Sequence, residues 1–200
     1  MEGLDLQSGH YPGQTPFDLE ELNDLIPILH TQTELNEWEQ MNIILAHGWV
    51  YSRRVFSKIN PLSEKFLLRL HYEMFGKTWR WAGKYRKSNK NIGVPFYKIH
   101  TEIKNFLDDA KYWYDENVFE PDEFCLRVHH RLVWIHPFAN GNGRLARFIA
   151  DILTKKLGKL KFTWGSESLH KPNEMRKSYI DSLKKADNGD FKDLIEFARS

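Results

Sequence analysis

The residues best suited to chemistry lie in one short stretch, His136 to Arg147, which reads HPFANGNGRLAR. A histidine exchanges protons near neutral pH because its ordinary pKa lies close to that value. The amide oxygen of Asn140 is a ligand that suits a hard cation. Gly141 and Gly143 lack Cβ atoms, so the N–H groups around Asn142 can turn together toward one anion. This order of residues predicts a phosphate site with a proton acceptor beside it.

A helix is predicted to begin within the same stretch. Apolar residues recur after it at three- and four-residue spacing: Leu145, Phe148, Ile149, Ile152, Leu153 and Leu157. Gly158 follows as a C-terminal stop. Unpaired N–H groups and the positive end of the helix dipole favour phosphate at a helix start. Arg144 and Arg147, one turn apart, would add two charged groups that bind phosphate oxygens.

The composition is that of an ordinary globular protein with one domain. The 200 residues are 41% hydrophobic and 28% charged, enough to form a core. A formal charge of +2 is too small for nucleic-acid binding to be the main function. The single cysteine, Cys125, excludes an internal disulfide and fits a reducing compartment. The sequence shows neither a signal peptide nor an apolar run of about 20 residues. We therefore expect a cytoplasmic protein that does not contact membranes.

Apolar periodicity elsewhere predicts a mainly α fold of six to eight helices around a central motif loop and helix. Residues 1–16 look like an irregular arm. A helix over 34–53 is predicted to begin near Thr33 and to fray or end near Gly48 and Trp49. The next helix is predicted to be capped by Asn60, with Pro61 at its first position, and to end at Gly76. The other predicted helices are a short one at about 17–24, one through 103–114, one from Pro121 to Ile135, the motif helix, and a final pair over 172–183 and 191–197.

One segment, residues 77–100, interrupts the helical spacing. Within it, residues 92–99 read IGVPFYKI and alternate like a short extended segment. Pro95 cannot occupy a central position in a strand ladder. We therefore predict an exposed β-hairpin, and call residues 90–96 the flap. Trp79 and Trp81 are expected in the core or an aromatic cluster, not as a platform for a nucleobase.

Two further histidines, His129 and His130, precede the motif. Adjacent residues on a helix point about 100° apart, so both cannot bind one metal ion together with His136. This argues against a zinc hydrolase. At least one of the two is expected to be a packed, hydrogen-bonded core histidine.

The stretch at 136–147 resembles the signature of the Fic (Fido-fold) family, HPF-x-(acid or Asn)-GNGR-x-x-R. Residues 128–135, 90–94 and 179–197 are similar to the helix before that motif, the flap and the C-terminal helices of the family. From about residue 50 to 200 the chain resembles one bacterial subgroup, the mobile mystery protein B proteins. The resemblance implies a Fic domain over 51–200, with the arm and helices of 1–50 packed on it in a single globular unit.

The resemblance also implies an activity, the transfer of AMP from ATP to a Ser, Thr or Tyr hydroxyl of a target protein with release of pyrophosphate. His136 would be the general base, and Phe138 would anchor the loop in the core. The flap would align the target backbone by strand addition. The implied nucleotide-binding residues are Gly141, Asn142, Gly143, Arg144 for the β-phosphate and Arg147 for the γ-phosphate, and the implied docking residues are Ile92, Gly93, Val94 and Phe96.

Two positions decide between alternatives within this family. Asn140 stands where Asp or Glu is commonest, so Mg²⁺ bridging the α- and β-phosphates would lose a charged ligand. A nucleotide-binding module without turnover is therefore one alternative. Gly143 stands where the related Doc-type kinases carry Lys, which favours nucleotidyl over phosphoryl transfer. The transfer of a different nucleotide, such as UMP or GMP, stays open.

Regulation in cis would require a glutamate that pairs with Arg147. In the family this residue belongs to a motif Ser/Thr-x-x-x-Glu-Gly/Asn, and residues 33–37, TELNE, match its first half with Glu37 as the candidate. Trp38 follows where Gly or Asn is expected. Thr33 as a helix N-cap explains the same letters, and we favour that interpretation. Restraint by a small antitoxin-like partner protein is the alternative.

Overall fold

Helices account for most of residues 19–166 and 172–200, the part of the chain that the computed structural model describes. Seven of them have eight residues or more, which confirms the predicted mainly α fold. They are α1 (Leu19–Leu22), α2 (Gln32–Tyr51), α3 (Arg53–Phe56), α4 (Glu64–Phe75), α5 (Ile99–Asp115), α6 (Pro121–Ile135), α7 (Asn142–Lys156), α8 (Pro172–Ala186) and α9 (Lys192–Arg199). None of these helices is long and apolar enough to cross a membrane.

The core is built around α6 and α7, which pack against each other more extensively than any other pair of the described helices. They are joined by residues 136–141, called the motif loop here. Helices α2 and α4 form a second packed pair, and α8 and α9 a third. The buried side chains of α7 are Asn142, Leu145, Ala146, Phe148, Ile149, Ala150, Ile152, Leu153 and Thr154. Because α7 is surrounded, the loop that starts it has a rigid support.

Both glycine stops are confirmed. Gly158 follows α7 in the left-handed region, with φ of 70°. Its N–H donates to the Lys155 carbonyl at 3.1 Å, and the N–H of Lys159 donates to the Thr154 carbonyl at 2.8 Å. This pair of bonds satisfies carbonyls that the helix end leaves open. Gly76 likewise caps α4.

Two predicted helix starts are wrong by a few residues. The cap of α2 is Thr31 and not Thr33, because Thr31 and Glu34 form a reciprocal capping box. The cap of α4 is Ser63 and not Asn60, whose side chain instead accepts the N–H of Leu62 at 3.0 Å in the preceding turn. Helix α2 also runs through Gly48 to Tyr51, since burial of its inner face outweighs the poor helix propensity of one glycine.

The segment between α4 and α5 is irregular. Residues 77–95 form turns and bends, and the described part of the chain contains an isolated β-bridge, between Leu25 and Trp79, but no strand. The predicted β-hairpin is therefore not confirmed, although the segment does pass beside the motif loop. Trp79 and Trp81 are buried and stacked with ring centroids 5.2 Å apart, as predicted.

Candidate functional site

A cavity of about 1300 Å³ lies at the start of α7. Its wall contains residues from the motif loop and first turn of α7, from residues 91–95, from one face of α2 and from α8. Pockets for small ligands usually measure about 300–1,000 Å³, so this cavity has room for a nucleotide and for part of a second molecule. Of the predicted site residues, Phe96 and Glu37 do not line it.

His136 caps the C-terminus of α6 in the left-handed conformation, with φ of 53° and ψ of 58°. Its N–H donates to the Leu132 carbonyl at 3.1 Å, and its own carbonyl accepts a bond from Arg86 Nε at 2.7 Å. Burial lowers the pKa of its imidazole to about 4; the charges of Arg86 and Lys90 add to this, and a hydrogen bond to the Val133 backbone opposes it. The imidazole is therefore neutral near pH 7 and can accept a proton.

Asn142 closes the motif loop with its side chain. The amide Oδ1 accepts the N–H of Phe138 at 2.9 Å, and Nδ2 donates to the Phe138 carbonyl at 2.8 Å. Phe138 is fully buried and stacks on His71 with ring centroids 3.7 Å apart, which confirms its predicted place in the core. The loop is thus folded before any ligand binds, and the backbone of Asn142 stays at the helix start.

His71 supports the same loop from α4. Its Nδ1 accepts the N–H of Gly83 at 2.9 Å, so the hydrogen is on Nε2, which donates to the Asn140 carbonyl at 3.1 Å. Burial lowers the pKa of His71 to about 3, which keeps this single tautomer neutral. The motif loop is therefore held from outside by a histidine that the sequence analysis did not single out.

Gly141, at the end of the motif loop, and Gly143, in α7, differ in their surroundings. Gly141 has φ of 78°, and a Cβ built there would lie 2.5 Å from the Phe75 ring, so only glycine fits. Gly143 lies in the first turn of α7, with no atom within 4 Å of an added Cβ. The first N–H groups of a helix have no acceptor within it, so this turn offers donors to a ligand in the cavity.

Arg144 is paired in this structure. Its guanidinium contacts Glu39 Oε2 at 2.6 Å and lies 4.7 Å from the centroid of the Phe75 ring. Glu39 is buried and also accepts a bond from Trp79 Nε1 at 2.7 Å. Glu37 is exposed on α2. The glutamate that contacts an arginine of the motif is thus Glu39, and the arginine is Arg144. Glu37, the candidate for inhibition, does not line the cavity.

Arg147 lies deeper, against aromatic side chains. Its guanidinium is 5.0 Å from the centroid of Tyr179 and 5.9 Å from that of Trp164. Its Nε is buried without a hydrogen-bond acceptor among the described residues. Tyr179 is fixed in turn by His129, whose Nε2 lies 2.9 Å from the Tyr179 hydroxyl. A cation in this position is prepared for an anionic ligand.

The flap touches His136 directly. Gly93 has φ of 94°, and a Cβ there would lie 2.5 Å from the His136 Cβ. The N–H of Val94 donates to the Ile135 carbonyl at 3.3 Å. Arg86 joins the two segments, because the guanidinium that binds the His136 carbonyl also donates to the Val94 carbonyl and, at 2.7 Å, to the carbonyl of Ser88. The Lys90 ammonium contacts Glu21 of α1 at 2.6 Å.

Asn140 is the predicted metal ligand. Its Oδ1 accepts the N–H of Gly141 at 2.6 Å and lies 3.4 Å from a guanidinium nitrogen of Arg144. Both contacts use this amide oxygen, which carries two lone pairs, so a cation bound at Asn140 would have to share the oxygen or displace the Arg144 contact. Within residues 19–166 and 172–200, no three His, Cys, Asp or Glu side chains cluster as metal ligands. The donor set suits an ion that keeps most of its water and phosphate ligands.

His129 and His130 are packed, hydrogen-bonded histidines, as predicted. Burial lowers the pKa of both, to about 3 for His129. His130 Nε2 lies 2.8 Å from Asp187, while His129 contacts Tyr179. The two rings therefore serve different partners, which agrees with the argument against a shared zinc ion.

Three residues that shape the site were not predicted: Glu39, His71 and Arg86. Glu39 and His71 could have been recognised from the sequence, because each is a polar residue in the apolar stripe of its helix. Glu39 lies between Leu35 and Ile43, and His71 lies four residues after Leu67. A polar residue in such a place usually has a buried partner. Arg86 could not, since it acts through carbonyl groups that any residue could supply.

The chain is similar in sequence to known proteins over the part that contains the motif loop. Residues 61–154 match the Fic/DOC family model. A protein of Aedes aegypti named protein adenylyltransferase Fic is 25% identical over 145 residues, covering 70% of this chain and 28% of that protein. A protein of the same name from Nematostella vectensis is 26% identical over 119 residues, covering 58% and 26%. The chain therefore spans about a quarter of the length of these relatives.

Solved structures show the same fold. Fic-1 from C. elegans superposes with a TM-score of 0.62 at 24% identity, covering 80% of this chain and 47% of that one. BepC from Bartonella tribocorum, solved with bound AMPPNP, gives a TM-score of 0.65 at 17% identity and covers 91% and 97%. The similarity extends well beyond residues 61–154, to helices on both sides.

Proposed function

We propose that this chain is a member of the Fic/DOC family, whose model matches residues 61–154, and that it acts as a protein adenylyltransferase. It transfers AMP from ATP to a Ser, Thr or Tyr hydroxyl of a target protein and releases pyrophosphate. The observation that carries the proposal is the shared cavity, in which a neutral His136 lies with the glycine-rich start of α7, Arg144 and Arg147. The relatives named protein adenylyltransferase support it.

In the proposed reaction, the target hydroxyl oxygen forms a bond to the α-phosphorus of ATP. The bond from that phosphorus to the oxygen shared with the β-phosphate breaks, and pyrophosphate leaves. The hydroxyl proton passes to the imidazole of His136, which returns it to water. Its lowered pKa keeps His136 in the accepting form across the neutral range.

The phosphates would be bound by the start of α7 and by both arginines. The N–H groups of Asn142 and Gly143 face charge that spreads over phosphate oxygens in the transition state. Arg144 would bind the β-phosphate region, where its contact with Glu39 must be shared or replaced. Arg147 would bind the γ-phosphate with its buried Nε, which has no other acceptor in the described part of the chain.

Asn140 would supply the protein ligand of a Mg²⁺ ion. Bound there, the ion would supply positive charge that offsets the negative charge of the phosphates. Asn140 provides the oxygen without a negative charge, so most of the binding must come from the nucleotide. The contact to Gly141 N–H orients the oxygen beside the phosphate site.

The target would dock on the flap. Residues 92–94 line the cavity beside His136, and Ile92 is 41% exposed. An extended target segment along this edge would place its hydroxyl near the imidazole. Phe96 lies outside the cavity wall and is exposed, so its part would be contact with target residues farther from the reacting hydroxyl.

Labelled ATP tests the proposal. With ATP labelled on the α-phosphate and a bacterial lysate, we expect label on protein, and at least about 100-fold less with His136→Ala. Label only from γ-labelled ATP would indicate a Doc-like phosphotransferase. Preferential competition by UTP or GTP would indicate that a different nucleotide is transferred. ATP binding without label on any protein would indicate a nucleotide-binding module, which the Glu39–Arg144 pair favours as the second candidate.

The wider setting follows from the resemblance stated for residues 50–200. We propose a bacterial, cytoplasmic protein of the mobile mystery protein B subgroup, with residues 51–200 as the Fic domain and 1–50 packed on it. A small antitoxin-like partner would restrain it in trans. Co-purification of the chain with a protein encoded beside it, and a lower rate of AMP transfer in that complex, would test this.

A further inference from the structure

Trp164 lies at the wall of the cavity in an uncommon backbone conformation. Its φ is 54°, in the left-handed region that residues other than glycine rarely adopt. The N–H groups of Trp164 and Thr163 both donate to the Ala198 carbonyl, at 3.1 and 2.9 Å. A strained residue persists only where its surroundings hold it, and such residues concentrate at functional sites. The fold therefore holds the Trp164 ring at the cavity against a local conformational preference.

The indole of Trp164 contacts two residues of α7 that lie one turn apart. Its Nε1 donates to Asp151 Oδ1 at 3.0 Å, and its ring centroid lies 5.9 Å from the guanidinium carbon of Arg147. Residues four apart on a helix lie on the same side of it, so one indole can contact both. The bond to Asp151 thus fixes a ring against which the Arg147 side chain packs.

Asp151 holds the indole and not the arginine. Burial raises the pKa of this carboxyl to about 6, while the bond from Trp164 and the charge of Lys161 oppose the rise, so Asp151 is an ionised acceptor at pH 7. Within residues 19–166 and 172–200 it forms no ion pair with Arg147, whereas Glu39 contacts Arg144 directly. A carboxylate on the guanidinium would compete with a phosphate. An aromatic ring holds the guanidinium and leaves its charge available.

A second ring, that of Tyr179, lies 5.0 Å from the same guanidinium. The imidazole of His129 contacts both aromatic residues, with ring centroids 4.8 Å from Trp164 and 5.9 Å from Tyr179. Each ring also bonds a polar group, since Trp164 donates to Asp151 and the Tyr179 hydroxyl lies 2.9 Å from His129 Nε2. Arg147 is therefore surrounded by a packed cluster whose members fix one another.

We propose that Trp164, fixed by Asp151, is a positioning residue that orients Arg147 toward the γ-phosphate of ATP. The inference rests on the proposed function, which assigns Arg147 to that phosphate. A side chain that is already held loses less conformational freedom when it binds. The preference of the cavity for a nucleoside triphosphate over a diphosphate then depends on the indole, although Trp164 carries no charge.

Calorimetry with α,β-methylene-ATP and α,β-methylene-ADP tests the inference, because neither analogue can donate AMP. We expect the wild-type chain to bind the triphosphate at least about 10-fold more tightly. Trp164→Phe and Asp151→Ala should each reduce this ratio by about 3- to 10-fold, since both remove the bond that fixes the ring. Asp151→Asn keeps an acceptor and should preserve the ratio within about 2-fold. Trp113→Phe, on α5 and outside the cavity wall, is the matched control.

The outcomes separate this inference from the proposed function. A wild-type ratio retained in both Trp164→Phe and Asp151→Ala would overturn the positioning role and leave the proposed function intact. Equal affinity of the wild-type chain for the two analogues would do the same, because the γ-phosphate would then have no ligand to be positioned. A wild-type chain that binds neither analogue would overturn the proposed function and the inference with it.

A double-mutant cycle separates positioning from direct contact with the phosphate. Arg147→Ala should lower the ratio to about 1, and the addition of Trp164→Phe should change it by less than about 2-fold. A further decrease would show that Trp164 acts without Arg147, and would overturn the positioning role.

Nitrogen-15 spectra of the wild-type chain give a test that depends on no substitution. After assignment, the Trp164 indole N–H signal should shift when the triphosphate analogue is added and shift less with the diphosphate analogue. Equal shifts, or none with either analogue at saturation, would overturn the inference.

Discussion

The motif loop and the flap meet at His136, but they are held in different ways. The loop is closed by residues close in sequence, since the Asn142 side chain bonds Phe138 four residues before it. The flap is held by a long-range contact, from Arg86 to the carbonyl of His136 fifty residues away. One half of the site therefore follows from a local pattern, and the other depends on the tertiary fold.

Acid should destabilise the fold through its buried histidines, of which His71 supports the motif loop. The folded-state pKa of His71 and His129 is about 3, and that of His136 about 4, against an ordinary value of 6.5. Above pH 6.5 these groups cost no stability. As pH falls toward 4, the unfolded chain takes up protons that the fold excludes, so the free energy of unfolding should decrease by up to about 4 kcal/mol per pH unit for three such groups.

Urea titrations between pH 7 and 4 measure this slope. His71→Gln should reduce it by up to about 1.4 kcal/mol per pH unit. His100→Gln is the control, because the His100 side chain is 80% exposed. A slope that is unchanged by His71→Gln would show that His71 is not the neutral anchor of the loop.

Breaking the flap side should affect catalysis more than folding. Arg86→Lys keeps the charge but cannot bind three carbonyl groups at once, so we expect about 100-fold slower AMP transfer with ATP affinity kept within about 3-fold. Hydrogen exchange of the Val94 amide should accelerate. Arg199→Lys is a matched control, since Arg199 also binds two carbonyl groups, those of Leu160 and Lys161, away from the site. Equal loss in both variants would assign Arg86 a general structural role.

Breaking the loop side should affect folding and nucleotide binding together. Asn142→Ala removes two buried hydrogen bonds and leaves both polar groups of Phe138 without partners. We expect a loss of about 2 kcal/mol in the free energy of unfolding, and weaker ATP binding measured by calorimetry. Full ATP affinity in this variant would mean that the loop is preorganised by His71 alone.

Releasing Arg144 should give a smaller effect. Glu39→Gln removes a negative charge beside the phosphate site while its amide oxygen can still accept the bond from Trp79. ATP affinity should increase by about 3- to 10-fold. Glu37→Gln is the control, because Glu37 is exposed and does not line the cavity. An increase in the Glu37 variant instead would favour the inhibitory role of Glu37, the alternative to the helix cap in the sequence analysis.

The smallest expected effect concerns the metal. Asn140→Asp adds a charged ligand for Mg²⁺, and about 3-fold tighter binding is expected because the nucleotide supplies most of the charge. A Mg²⁺ titration of AMP transfer measures it. An unchanged midpoint would count against Asn140 as a ligand.

The sequence predicted features that depend on neighbouring residues, as in the motif loop, and not those that depend on distant segments, as in the flap. The α7 start, its glycine stop and the buried Phe138 were predictable, because helix ends and apolar periodicity depend on residues within about one turn. The cap of α2 was displaced by two residues because threonine occurs at both Thr31 and Thr33, and only the fold shows which side chain closes the capping box. Likewise, the sequence did not show which of Glu37 and Glu39 would face the cavity, because the two lie on different faces of one helix.

The contacts between distant segments could not be predicted. The flap has no strand in the described residues because its backbone bonds go to Arg86 and to the end of α6, so an alternating pattern was not sufficient to indicate pairing. Arg86 binds carbonyl groups, which leave no trace in the residue types of its partners. Such contacts depend on the tertiary fold.

The contact between Lys90 and Glu21 joins the flap to α1. The Lys90 side chain is 2% exposed, and its partner belongs to α1, outside the residues 61–154 that match the family model. A fragment trimmed to those residues would lack Glu21, which contacts the Lys90 ammonium beside the flap. The contact therefore joins the flap to a helix outside the segment that the family model matches, and exchanges of the flap between relatives should carry α1 with it.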